Sequence, residues 1–349
     1  MALSRRRFAR LALASMLAPA AGCKKSKKSL SLYNWGSYLA AEVLRRFEAS
    51  IEGGARLVED FFLSEAEMVA KLEAGGTYDV VFCIDYLLSS MQKKGLMQPL
   101  QPMLSGIEHL DPNFGVWHAR ADRGGKAYAI PYLWGTTGIG YDRDKVDPPT
   151  SWNALFDERY AGHIAVLDSK GDVMDQALLA LGMSINSTDK PRIRNEVYPK
   201  LQEQKKILRA YDSDPARALV SGDVWIAQID SGDLLHAQAQ KPSLRYVIPQ
   251  EGAALWTDYM VIGAHAAHVG LAREFMEFLL DPEIAAINAN ELRFATPNKT
   301  ALDRGLIHDA DDPNVYPPPE MKAKLFTSEN WFGKTGALVE ELWLELRAQ

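Results

Sequence analysis

Leu255-Trp256-Thr257-Asp258-Tyr259-Met260-Val261-Ile262-Gly263 is the stretch that decides how the chain is read. Its second half is a short apolar run, the signature of a buried strand. Strand residues two apart share a face, so Trp256 and Asp258 point the same way as Met260 and Ile262. A carboxylate on such a face is costly unless something pairs with it. The nearest bases in sequence are Arg245 and Arg273, both distant along the chain. An indole beside an unpaired carboxylate suits an organic ammonium ion. The ring face attracts the cation, and the carboxylate accepts its charge-assisted hydrogen bonds. Taken alone, a core Trp beside a loop-capping Asp is the simpler account of these residues.

The 349 residues are enough for about two domains, and 47% hydrophobic with 24% charged residues is ordinary globular composition. The charge is uneven. The first 28 residues hold eight Lys or Arg and no acid, which leaves 31 bases against 45 acids, a net of −14, on the rest. An acidic body argues against nucleic acid as a partner and suits a cationic ligand.

Residues 1–28 read as an export signal and tether. Ser4-Arg5-Arg6-Arg7-Phe8 resembles a twin-arginine signal, and the apolar run from Leu11 to Gly22 is too short to span a bilayer. Ala20-Ala21-Gly22-Cys23 resembles a lipobox, with Cys23 as the lipidated residue and Lys24-Lys25-Ser26-Lys27-Lys28 as a basic tether. The expected location is therefore the periplasm, with membrane contact only through that lipid. The one other cysteine, Cys83, ends a buried run and reads as a packed thiol.

Strand and helix patterns alternate along the chain. Strands are expected at Leu30–Asn34, Ala55–Phe61 and Tyr78–Cys83, and helices at Glu42–Ala49, Ser64–Ala74 and Tyr86–Lys94. Ser64 with Glu67 makes a capping box. Short links between such elements predict a parallel sheet covered by helices. Tyr128 to Tyr141 is β-prone and glycine-punctuated. It reads as an extended crossing between two lobes, because no Lys-Ser/Thr follows to make a phosphate loop. A second alternating unit runs from His163, with a long amphipathic helix expected over Glu196–Tyr211.

Ligands of such sheets bind beyond the strands' carboxyl ends. Those ends hold Trp35 with Ser37 and Tyr38, then Asp85 and Tyr86, then Ser169 and Asp172, then Asp230 and Asp233. Helix capping accounts equally for Asp172 and Asp233. The seven histidines form no convincing metal-ligand spacing, and no nucleophile–base pair stands out, so neither a metal, another cofactor nor an enzyme is expected.

Leu32-Tyr33-Asn34-Trp35 with Tyr38, Tyr78-Asp79-Val80-Val81, Ile130-Pro131-Tyr132-Leu133-Trp134-Gly135, Ser151-Trp152, Trp256-Thr257-Asp258 and Ala295-Thr296-Pro297-Asn298 follow one another in an order and spacing that resemble the spermidine/putrescine-binding proteins of bacterial ABC importers. The resemblance covers nearly the whole chain from about Ser29. It implies a two-lobed periplasmic-binding-protein fold of type II, each lobe a mainly parallel sheet flanked by helices, with a cleft that closes on ligand. It implies lobe 1 from 29–136 plus 258–300 and lobe 2 from 137–257 plus 301–349.

The same resemblance implies roles. Trp256 and Asp258 fall where the family holds an ammonium group. Trp35 and Tyr86 fall on aromatics that sandwich the methylene chain, and Tyr38 on another cleft aromatic. Asp172 falls on the acid for the far end, and Ser213 matches a hydroxyl. The chain departs from the pattern at Gly36-Ser37, where the family has Thr-Glu, and at Asp230, where it has an indole. Ser169 replaces an acid, Phe294 a Tyr and Phe332 a Gln. Asp85, Asp172, Asp230 and Asp258 remain as carboxylate candidates. The expected function is a monomeric receptor that passes putrescine or spermidine to a membrane permease. The alternative is another cationic or zwitterionic amine, or a sugar, in the same fold.

Overall fold

The computed structural model describes residues 28–112, 126–329, 331 and 333–348. The expected signal, Cys23 and Phe332 lie outside the described residues. Among the described residues, eleven strands form one curled mixed sheet: β1 Lys28–Asn34, β2 Ala55–Phe61, β3 Val80–Ile84, β4 Met97–Gln98, β5 Ala129–Asp142, β6 Ile164–Leu167, β7 Leu208–Asp212, β8 Ile226–Asp230, β9 Leu244–Val247, β10 Ala253–Gly263 and β11 Leu325–Phe326. The main path runs β2-β1-β3-β10-β5-β8-β6-β7.

The two ends of that path are parallel, as the strand–helix alternation predicts: β2-β1-β3 on one side and β8-β6-β7 on the other. The centre is not. β10 runs antiparallel to both β3 and β5, and β5 antiparallel to β8. β5 and β10 are long enough, at 14 and 11 residues, to pass from one lobe to the other. Ala129, Ile130 and Leu133 of β5 and Tyr259 to Ile262 of β10 pack in one hydrophobic cluster; Ile139 and Tyr141 of β5 and Ala253 of β10 pack in a second.

Local chemistry sets the elements. Ser64 caps the helix Glu65–Glu73 by accepting from the Glu67 amide at 3.2 Å, while Glu67 reaches back to the Leu63 amide at 2.9 Å. The terminal helix Gly333–Ala348 seats Leu338, Leu342 and Leu346, spaced by four, on the second cluster. The glycines of β5 make room for side chains. A methyl group on Gly138 would meet the Tyr246 ring and hydroxyl, and one on Gly140 would meet Leu234 and Ile229.

Three expectations need correction. The helix expected over Glu196–Tyr211 stops at Ile207, because Leu208–Asp212 pairs with β6 as β7. The helix expected from Tyr86 begins as a single 3-10 turn, Asp85–Leu87, before Leu88–Lys93. Ala301 and Ile307, expected in the second lobe, pack in the first cluster with Tyr316 against it; Met321 and Leu325 are the first later residues to pack on the second.

Candidate functional site

A cavity of about 400 Å³ lies between the two clusters. Trp35, Tyr38, Asp85, Tyr86, Ser169, Asp172, Asp230, Trp256, Asp258 and Phe294 all line it. The strand register explains the grouping. Asp258 sits opposite Ile84 on β3, so the turn that follows β3 brings Asp85 and Tyr86 beside it. Asp230 closes β8 opposite Thr137 of β5. Ser169 caps the helix Lys170–Ala180, accepting from the Asp172 amide at 3.4 Å, so Asp172 stands in its first turn.

Ser37 is the exception. It adopts a left-handed backbone (φ 57°), is exposed, and lies outside the cavity, whose wall at that turn is Gly36. The Gly36-Ser37 turn leaves the serine exposed, so the structure does not bring Ser37 together with the other expected site residues.

The aromatic walls interlock. Trp35 packs on Phe62 with ring centroids 4.3 Å apart, and Phe294 meets Trp256 edge-on at 5.1 Å and Tyr38 at 6.1 Å. Two glycines hold these rings against backbone. A Cβ on Gly135 would come within 2.5 Å of the Trp256 ring, and one on Gly232 within 2.5 Å of Phe294. Trp256 is directly opposite Gly135 in the β5–β10 pairing.

Charge is one-sided. Nine carboxylates line the cavity: Glu65, Asp85, Asp168, Asp172, Asp175, Asp230, Asp233, Asp258 and Glu329. Lys170 is the one basic residue among the described lining residues, and its ammonium pairs with Glu340 at 2.5 Å. Asp168 pairs with Arg347 at 2.8 Å. Glu65, Asp172, Asp175, Asp230, Asp233, Asp258 and Glu329 have no such counter-ion among the ion pairs of the described residues.

Their ionisation responds accordingly. Burial pushes the Asp258 carboxyl up to about 7; the Tyr38 hydroxyl pulls it down and Glu65 adds to the rise. Asp258 is 5% exposed and Tyr38 7%. The Tyr38 hydroxyl stops short of a formed hydrogen bond, since it and Asp258 Oδ1 are both buried without a partner. Asp230 keeps an open side toward the cavity, yet burial among protein atoms raises its carboxyl well above the usual range. Asp172 and Asp233 add to that rise, against the Thr137 and Trp256 donors. Burial likewise raises Asp172, opposed by Ser169. It raises Asp175 strongly, helped by Asp172 and opposed by Ser328.

Sequence reading missed Glu65, Asp175, Ser328 and Trp331 as lining residues. Asp175 had a signal: it follows Asp172 by three on the helix, which places both on one face. The arrangement can surround a flat or linear apolar body with rings and neutralise several positive charges along it.

A model of the bacterial extracellular solute-binding protein family matches residues 57–317. The chain is 31% identical over 326 residues to the spermidine/putrescine-binding periplasmic protein of Escherichia coli, covering 92% of each. It is 29% identical over 359 residues to a putrescine/cadaverine-binding protein of Pseudomonas aeruginosa, covering 97% of this chain and 98% of that one. The crystal structure of a spermidine/putrescine ABC transporter substrate-binding protein from Streptococcus pneumoniae superposes with a TM-score of 0.77 at 30% identity, over 92% of this chain and 99% of that one. With two cores joined by two crossing strands and a cavity between them, the chain belongs to the bacterial extracellular solute-binding proteins.

Proposed function

We propose that this protein is the substrate-binding component of an ABC importer and that its cleft captures a linear polyamine. The observation that carries the reading is the lining: nine carboxylates and one tied-off lysine on walls that also carry seven aromatic residues, Trp35, Tyr38, Tyr86 and Trp256 among them. Rings take the methylene chain and carboxylates its ammonium groups. The names of the relatives support the same ligand class. A sugar would leave the carboxylates without counter-charge in a closing cleft, which is costly.

In this reading Trp256 with Asp258 holds one ammonium and Asp172 another, with Trp35 and Tyr86 along the chain. Lobe 1 comprises 29–136 plus 258–316 and lobe 2 the remainder from 137, with the last crossing after Tyr316 rather than at Ala301. The protein is exported by its twin-arginine-like signal, is held at the membrane through Cys23, acts as a monomer and delivers its ligand to a permease.

Calorimetric titration of the purified protein with putrescine, spermidine, spermine, 4-aminobutyrate and maltose tests the reading. Saturable binding of a polyamine that Asp258→Asn abolishes supports it. Silence with every polyamine, or tight binding of maltose, rejects it.

A further inference from the structure

The polyamine reading leaves open how many ammonium groups the ligand carries, and the wall between the cavity's two ends bears on that number. The carboxylates stand in a row. Asp258 pairs in register with Leu133 of β5 and Asp230 with Thr137, four residues further along the same strand. The Gln228 side chain of β8 donates to the Asp172 carbonyl at 2.8 Å, so the row continues from β8 to the helix Lys170–Ala180. Electrostatics gives the same order. Tyr38 feels both Asp258 and Asp230, Asp230 feels Asp172, and Asp175 feels Asp172.

Asp230 is therefore the middle member. Its Oδ1 accepts from the Thr137 hydroxyl at 2.6 Å and from Trp256 Nε1 at 3.0 Å. Both donors are neutral, so no base offsets this carboxyl, and Oδ2 keeps its acceptor capacity for a cation that would hold it ionised. Glu65, on the opposite lobe, raises Asp258 and is itself raised by Asp172, so it too stands between the ends. A diamine reaching from Asp258 to Asp172 would lay uncharged methylenes against Asp230 and Glu65. Closure would then bury carboxylates with no counter-charge.

Resting on the polyamine reading, we propose that Asp230 is an internal ammonium subsite that makes this cleft select a triamine over a diamine. Recognition is then tripartite: Asp258 with Trp256 at one end, Asp230 in the middle, and the Asp172–Asp175 pair at the other.

The test is calorimetric titration of the full protein and of Asp230→Asn with spermidine and putrescine. Asn keeps Oδ1 as acceptor for Thr137 and Trp256, so the Trp256 ring stays in place. The wild-type protein is expected to bind spermidine at least about tenfold tighter than putrescine, and Asp230→Asn to lose most of that ratio through spermidine alone. Glu65→Gln, on a partly exposed first helical turn, should shift the ratio the same way and serves if Asp230→Asn does not fold. Equal wild-type affinities, or a substitution that weakens both amines equally, overturn the proposal and leave the polyamine reading standing. No binding of either amine overturns that reading and the proposal together.

Discussion

Trp256 Nε1 donates a 3.0 Å hydrogen bond to Asp230 Oδ1, so a ring carried by β10 is fixed by a carboxylate of β8 across the intervening β5. Thr137, from β5 itself, donates to the same oxygen. One oxygen thus ties three strands, and both its donors are neutral. Thr137→Val removes one donor while keeping the shape. The expected loss is about 1–3 kcal/mol, because a partly buried carboxylate oxygen loses half its partners. Urea denaturation of the ligand-free protein measures it.

Asp258 makes stability depend on pH with a definite sign. Its carboxyl titrates at about 7 in the folded protein against 3.8 ordinarily. Between those values the folded state holds more protons than the unfolded one, so ligand-free stability falls as pH rises from about 4 to 7. The slope approaches about 1.4 kcal/mol per pH unit for a group protonated only in the folded state. Ligand-free denaturation at pH 5 and pH 8 checks it, and Asp258→Asn should reduce the difference, leaving the share carried by the raised Asp172, Asp175 and Asp230 carboxyls.

The same substitution should separate stability from binding. At pH 8 Asp258→Asn replaces a buried charge, one of whose oxygens has no partner, with a neutral amide. We expect the ligand-free protein to gain about 1–3 kcal/mol and the protein to lose its amine affinity. A melt and a titration on one sample decide it; unchanged binding would contradict the ammonium role of Asp258.

Gly135→Ala should damage the site from beneath. The new methyl would lie 2.5 Å from the Trp256 ring, and the ring would have to move. The expected cost is about 1–3 kcal/mol of stability, with weaker amine binding. Tryptophan emission and titration report the two effects.

Much of this was legible in the sequence, for identifiable reasons. Ser64 and Glu67 marked a helix start because capping is local chemistry, and Val80 to Cys83 read as a buried strand because both its faces are apolar. The acids at strand ends were visible because the residues after β3, β6 and β8 stand at a sheet's carboxyl edge. The antiparallel centre was not legible, since alternation of strands and helices says nothing about which strand returns between which neighbours. Leu208 to Asp212 was absorbed into the helix before it because both segments are half-buried. Ser37 misled because adjacency to Trp35 along the chain does not survive a left-handed turn. Glu65 and Asp175 are easily passed over because each has a local reading, one as an acid in a first helical turn and the other as one of several polar residues in its helix.

β5 and β10 carry the two cores and also Gly135, Thr137, Trp256 and Asp258. The proposed ligand contacts and the connection between the two cores therefore occupy the same few residues. Leu63 and Trp331, the latter packed on the second cluster, line the same cavity beyond these strands. A substitution that reshapes the cavity at Gly135 or Thr137 therefore also alters the connection between the two cores.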